Sequence, residues 1–180
     1  MSRTFLCALL AACAMPAHGE TWHFAYQGFH DSIAGAFLPD RKLTGSFVGQ
    51  DADGDGALVR AEITSLVVEG VDFIACESHS NEYYHCSTEA FAYQDGTLSF
   101  AVGQHGGDPE GWIGGGHFYT SGEREWRYAY RLDHYEEWEY HWTPQTTFVI
   151  SSAPEPGTWA LLLAGLPLIL HAVGRKRKSP

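Results

Sequence analysis

The sequence predicts a mainly β protein: an antiparallel β-sandwich or barrel-like domain over residues 20–150, flanked by two apolar segments. Three observations predict it. Apolar and aromatic residues alternate with polar ones in short runs; Gly, Asp, Asn and Pro punctuate those runs; and almost no stretch carries the 3.6-residue period of an amphipathic helix. Nine or ten short strands result, a count that suits a sandwich or barrel.

In chain order the strands are read from "TWHFAYQG", "LTGSFVG", "SLVVEG", "EAFAYQ", "TLSFAVG", "GGHFYTS", "EWRYAYRL", "EEWEYHW" and "TTFVIS". Asp95-Gly96 between the fourth and fifth is a signal for a tight hairpin turn. In "EWRYAYRL", Trp126, Tyr128, Tyr130 and Leu132 share one face and Arg127, Ala129 and Arg131 the other. In "EEWEYHW", Trp138, Tyr140 and Trp142 oppose Glu137, Glu139 and His141. "GGDPEGWIGGGHF" has neither a P-loop lysine nor a strand-helix fingerprint, and its glycines read as a flexible loop and strand edge.

The charge is unevenly distributed. Residues 20–150 hold 21 acids and 6 bases, near −15, whereas Arg175 to Lys178 add four cations at the far end. So acidic a body lacks the clustered cations that nucleic acid requires; metal cations are its more natural guests.

At the other end, Arg3 precedes an apolar stretch from Phe5 to Ala14, followed by small residues. This is the layout of a secretory signal peptide over residues 1–19, cut after Ala17-His18-Gly19. Leu10-Ala11-Ala12-Cys13 also fits a lipoprotein cleavage box, with Cys13 lipidated instead of removed. Export leaves Cys76 and Cys86 in the mature chain, where an oxidising compartment favours a disulfide closing a local hairpin. The competing reading is a metal site from Cys76, His79, His85 and Cys86, whose spacing matches no common zinc pattern.

The densest local chemistry is "DADGDGALVRAE". Asp51, Asp53 and Asp55 occupy loop positions 1, 3 and 5, Gly56 position 6 and Glu62 position 12, with Leu58 as an apolar plug at position 8. Alternate carboxylates converge as such a loop winds, the Ala57 carbonyl adds a ligand, and Glu62 closes the sphere; hard oxygens select calcium. The pattern resembles an EF-hand loop. "KLTGSFVGQ" before it reads as a strand and only "RAEITSLVVEG" after it can begin a helix, so the resemblance is to the isolated calcium loops of extracellular modules such as dockerins.

Catalytic signals are weak. The serines lack a nucleophile-elbow context, and the eight histidines of the body stand at no motif spacing. Trp126, Trp138 and Trp142, beside Glu136, Glu137 and Glu139, offer rings for stacking on sugars. A carbohydrate-binding module is one alternative; a small polysaccharide-active hydrolase or lyase, requiring two converging carboxylates, is another. A solvent-facing row of aromatics favours the first, and a carboxylate of raised pKa the second.

The chain ends "APEPGTWALLLAGLPLILHAVGRKRKSP". Residues 151–158 form a Pro-rich linker, residues 159–174 an apolar helix just long enough to cross a bilayer, and residues 175–180 a basic tail that stays in the cytoplasm. Pro154-Glu155-Pro156, the helix and the cations in that order resemble the PEP-CTERM sorting signal of Gram-negative bacteria. The resemblance implies processing by an exosortase-like enzyme after transient anchoring in the inner membrane. It also implies release to the cell surface or extracellular matrix, in an exopolysaccharide- or biofilm-forming setting. The expected function is that of an exported, calcium-stabilised, non-enzymatic matrix protein.

Overall fold

The computed structural model describes residues 19–153. The signal peptide, the Pro154-Glu155-Pro156 motif, the sorting helix and the basic tail lie outside the described residues. The body is mainly β, as its alternation predicts, but its strands form one antiparallel sheet that curls into a half-barrel, where a sandwich has two.

Eleven strands build it: β1 (Glu20–Asp31), β2 (Ala36–Gly49), β3 (Ala57–Val59), β4 (Ile63–Val68), β5 (Val71–Asp72), β6 (Tyr84–Gln94), β7 (Thr97–Gly107), β8 (Ile113–Thr120), β9 (Arg124–Arg131), β10 (His134–His141) and β11 (Thr147–Ala153). Their order is β3-β6-β7-β8-β9-β10-β1-β2-β4-β5, with β11 also on β1. One edge of β1 is shared, His30 and Asp31 pairing with β10 and Thr21 to Gln27 with β11.

The period of two sets the inner face. Phe24 and Tyr26 point inward from β1, Leu43 and Phe47 from β2, Leu66 and Val68 from β4, and Leu98, Phe100 and Val102 from β7, all buried. Curling brings the β1-β2-β4 wing over the β6-β7-β8 wing: the Phe24 and Phe100 rings lie 5.6 Å apart, and the Tyr26 hydroxyl donates to the Leu98 carbonyl at 3.3 Å. Each such ring contributes about 1.5–3 kcal/mol by leaving water. Gly28, at φ 87°, sits where the β1–β2 register shifts, and this bulge turns Phe29 inward as well. Gly45 faces Phe24 across the pair, and any Cβ there would overlap its ring.

Turn chemistry is as the sequence implies at Asp95-Gly96, whose φ values of 51° and 78° match the twist of the β6–β7 hairpin. Four expectations are corrected. After the acidic loop no helix begins: residues Arg60–Glu62 make one 3-10 turn and β4 follows at once, because Ile63, Leu66 and Val68 bury themselves at strand positions. Leu132, at φ 55°, belongs to the β9–β10 turn and leaves the face of Trp126, Tyr128 and Tyr130. Gly114 to Gly116 lie inside β8, paired on both sides. Cys76 and Cys86 stand at disulfide distance, 5.9 Å between Cα atoms, and they tie the short helix α1 (Phe73–Cys76) to β6, not two arms of a hairpin. A bridge closing so short a loop is worth about 2.5–3 kcal/mol through chain entropy.

Candidate functional site

Three constellations carry chemistry: the acidic loop, the outer face of β8–β10, and a polar network on the inner face of the same strands.

The loop follows its sequence pattern closely. Asp51 accepts hydrogen bonds from the Gly54 and Gly56 amides at 2.7 and 2.9 Å, Asp53 from Asp55, and Asp55 from Ala57. Gly54 and Gly56 take φ values of 77° and 83°, which an L side chain resists. The Gly56 amide, with those of Gly54 and Asp55, holds the Asp51 carboxyl below its ordinary range. One oxygen each from Asp51, Asp53 and Asp55 falls within 4.8 Å of the others. Leu58 is buried as a plug, and β3, carrying Ala57 and Leu58, pairs with Gln94 and Tyr93 of β6, so the sheet takes the place of a second loop. Glu62 is turned to backbone, accepting from the Ala52 and Val59 amides at 2.9 and 3.1 Å. The donor set fits a hard divalent cation. Glu62 would exchange two amide bonds for the metal, while the Ala57 carbonyl would supply a neutral ligand.

On the outer face of the sheet lies a row of rings. Phe118 of β8 pairs with Trp126 of β9, and Tyr130 of β9 with Tyr135 of β10, so these residues and Tyr128 share the side that points away from the core. Centroids of Phe118 and Trp126 are 5.2 Å apart, those of Tyr128 and Tyr130 6.4 Å, and those of Tyr128 and Tyr135 6.3 Å. Interplanar angles in these pairs are 23°, 6° and 17°. His85 and His105 extend the row across β6 and β7. The glycines explain how so many rings fit: a Cβ at Gly103, Gly114 or Gly116 would overlap Phe118, Tyr130 or Tyr128, so each ring leans on the bare backbone of a neighbouring strand. Tyr135, in the row, remains 55% exposed. Glu137 accepts from Trp126 Nε1 at 2.6 Å and presents its carboxylate among the rings.

Of the three tryptophans proposed for stacking, the structure leaves Trp126 in this row and moves the others. Trp138 pairs with Arg127 on the inner face, under its guanidinium at 4.7 Å. Trp142 packs edge-on against Phe29 at 4.7 Å and Tyr26 at 5.4 Å, in the core. Phe118, Tyr128, Tyr130 and Tyr135 were missed as site residues. The signal available for them was the glycine triplet set opposite an aromatic strand.

The inner face of β8–β10 is polar where the core ends. Glu125, 4% exposed, accepts from Arg41 Nη2 at 2.6 Å and meets His117 Nε2 at 2.9 Å. Arg41 stacks over Tyr140 at 3.6 Å. Burial pushes the Glu125 carboxyl up, but hydrogen bonds from His117 and Arg41 and their charges outweigh it and hold the group below the ordinary value. A buried carboxylate kept ionised is the reverse of a general acid. Compared with protein-family models, curated proteins and solved structures, the chain matches none of them.

If calcium occupies the loop, the native chain should melt at a higher temperature in calcium than in a chelator, and Asp53→Ala and Glu62→Ala should each abolish that rise. An undiminished rise in both variants would place the ion elsewhere.

Proposed function

We propose that this chain is an exported, non-enzymatic surface or matrix protein whose β domain holds polysaccharide on its outer aromatic face, braced by calcium at the Asp51–Glu62 loop. The observation that carries the reading is the solvent-facing row from Phe118 to Tyr135. Sugar rings present flat C–H faces to aromatic planes and hydroxyls to carboxylates such as Glu137, and a row of nearly parallel rings suits a chain better than a single sugar. The negative charge of the body, near −15, supports a neutral or cation-bridged glycan and opposes nucleic acid.

Export and sorting rest on the sequence resemblance at both ends of the chain, with the exosortase-like enzyme and the inner membrane as transient partners. The test is retention of the purified protein on the host's own exopolysaccharide, in calcium and again in a chelator. Retention lost on chelation is expected; absence of retention in both buffers would overturn polysaccharide binding. Replacing Pro154, Glu155 and Pro156 by alanine should leave an uncut, membrane-held species, and normal release of that variant would refute the sorting step.

A further inference from the structure

On the opposite face of the same strands a hollow of about 380 Å³ opens between Tyr84, Gln104, His117 and Arg127. Its floor is made by residues with little or no side chain: Gly106 pairs with Gly115 across β7 and β8, and Gly115 with Ala129 across β8 and β9. The walls are fixed. Tyr84 donates its hydroxyl to Gln104 Oε1 at 2.7 Å, which turns the carboxamide nitrogen away from the tyrosine. His117 is clamped between Glu125 and the Tyr119 hydroxyl, at 2.9 and 3.2 Å, and Arg127 rests on the Trp138 ring. Glu125 takes one oxygen to Arg41 and the other to His117, so the same buried carboxylate that ties β9 to β2 also fixes the histidine at the wall.

Charge separates this hollow from an accidental dent. Arg41, Arg60 and Arg124 each pair with a carboxylate, whereas among the described residues Arg127 and Arg131 pair with none, and of these two Arg127 lines the hollow, in a body where acids outnumber bases 21 to 6. A guanidinium held over an aromatic ring, with no acid partner and beside a hollow, is an anion receptor.

We propose that the hollow binds an acidic sugar unit, a hexuronate, its carboxylate on Arg127 and its hydroxyls on Gln104 and Tyr84. The small-residue floor lets a six-membered ring approach the backbone of β8, and the volume suits one sugar. As a biological role this rests on the polysaccharide reading above. Sites on opposite faces of one sheet would let a single molecule bridge two chains, raising the local concentration of each for the other.

Titrating the purified full chain with sodium glucuronate, glucose and sodium acetate, followed by NMR and tryptophan fluorescence, tests it. Glucuronate is expected to bind at least 10-fold more tightly than glucose or acetate. Arg127→Gln at the surface and Ala129→Leu on the floor should each weaken it at least 10-fold, and Arg131→Gln should not. Trp126→Ala, on the other face, should leave glucuronate binding unchanged, so failure of the outer site and failure of this one are told apart. The proposal is overturned if the native chain does not bind glucuronate, if Arg127→Gln binds it equally well, or if acetate binds as tightly, which would reduce the hollow to a simple anion contact.

Discussion

Replacing Glu125 with alanine is expected to lower the unfolding free energy by about 2–3 kcal/mol, the cost of removing a buried carboxylate that bonds two part-buried partners. The geometry sets that scale. The Glu125 side chain is 5% exposed, while those of Arg41 and His117 are 28% and 26% exposed, so water reaches both freed partners and the loss stays below that of a fully buried pair. Arg41 of β2 reaches Glu125 of β9, strands separated in the sheet by β1 and β10, and the pair therefore ties those two strands together. Glu125→Gln keeps the shape and loses the charge, and should fall between the alanine variant and the native chain. Denaturant unfolding measures both; a loss under about 1 kcal/mol in the alanine variant would mean that the pair behaves like an exposed one. The pH dependence has a fixed sign. Because the folded-state value of Glu125 lies below the ordinary carboxylate value, its contribution is complete above that ordinary value, about 4.3, and is lost as pH falls through the folded-state value beneath it. Glu125→Gln should flatten this acid limb.

The loop and the hairpins were legible in the sequence because their causes are local. Asp51, Asp53, Asp55 and Gly56 meet within one turn of chain, and Asp95-Gly96 needs no partner to take positive φ. What was not legible is which side of a strand is wet. Alternation in β9 separates Trp126, Tyr128 and Tyr130 from Arg127 and Ala129, and ordinary burial puts aromatics inside. Here the arginine side faces the hollow and the rings face out. The decision lies in β8, where Gly114 and Gly116 make room for rings from β9, a pairing that only the assembled sheet reveals. The same non-local register sends Trp138 inward with Arg127, and the connection after β10 carries Trp142 into the core.

The outer row yields the second large effect. Trp126→Ala combined with Tyr128→Ala is expected to reduce retention on exopolysaccharide by about 30-fold or more, the roughly 2 kcal/mol that marks an aromatic anchor in an interface. Trp126 is bonded to Glu137, and Tyr128 lies near both Tyr130 and Tyr135, so the two truncations break the row at its centre. Because the Tyr128 ring also covers Gly116, the variant should be assayed per folded molecule, with near-ultraviolet circular dichroism reporting the fold. Trp138→Ala serves as the contrast: it removes a ring of equal size from the inner face, beneath Arg127, and should leave retention of a neutral polysaccharide intact. If that single change abolished retention while the double variant kept it, the glycan would lie in the concave hollow and the outer rings would serve only to shield the glycines of β8.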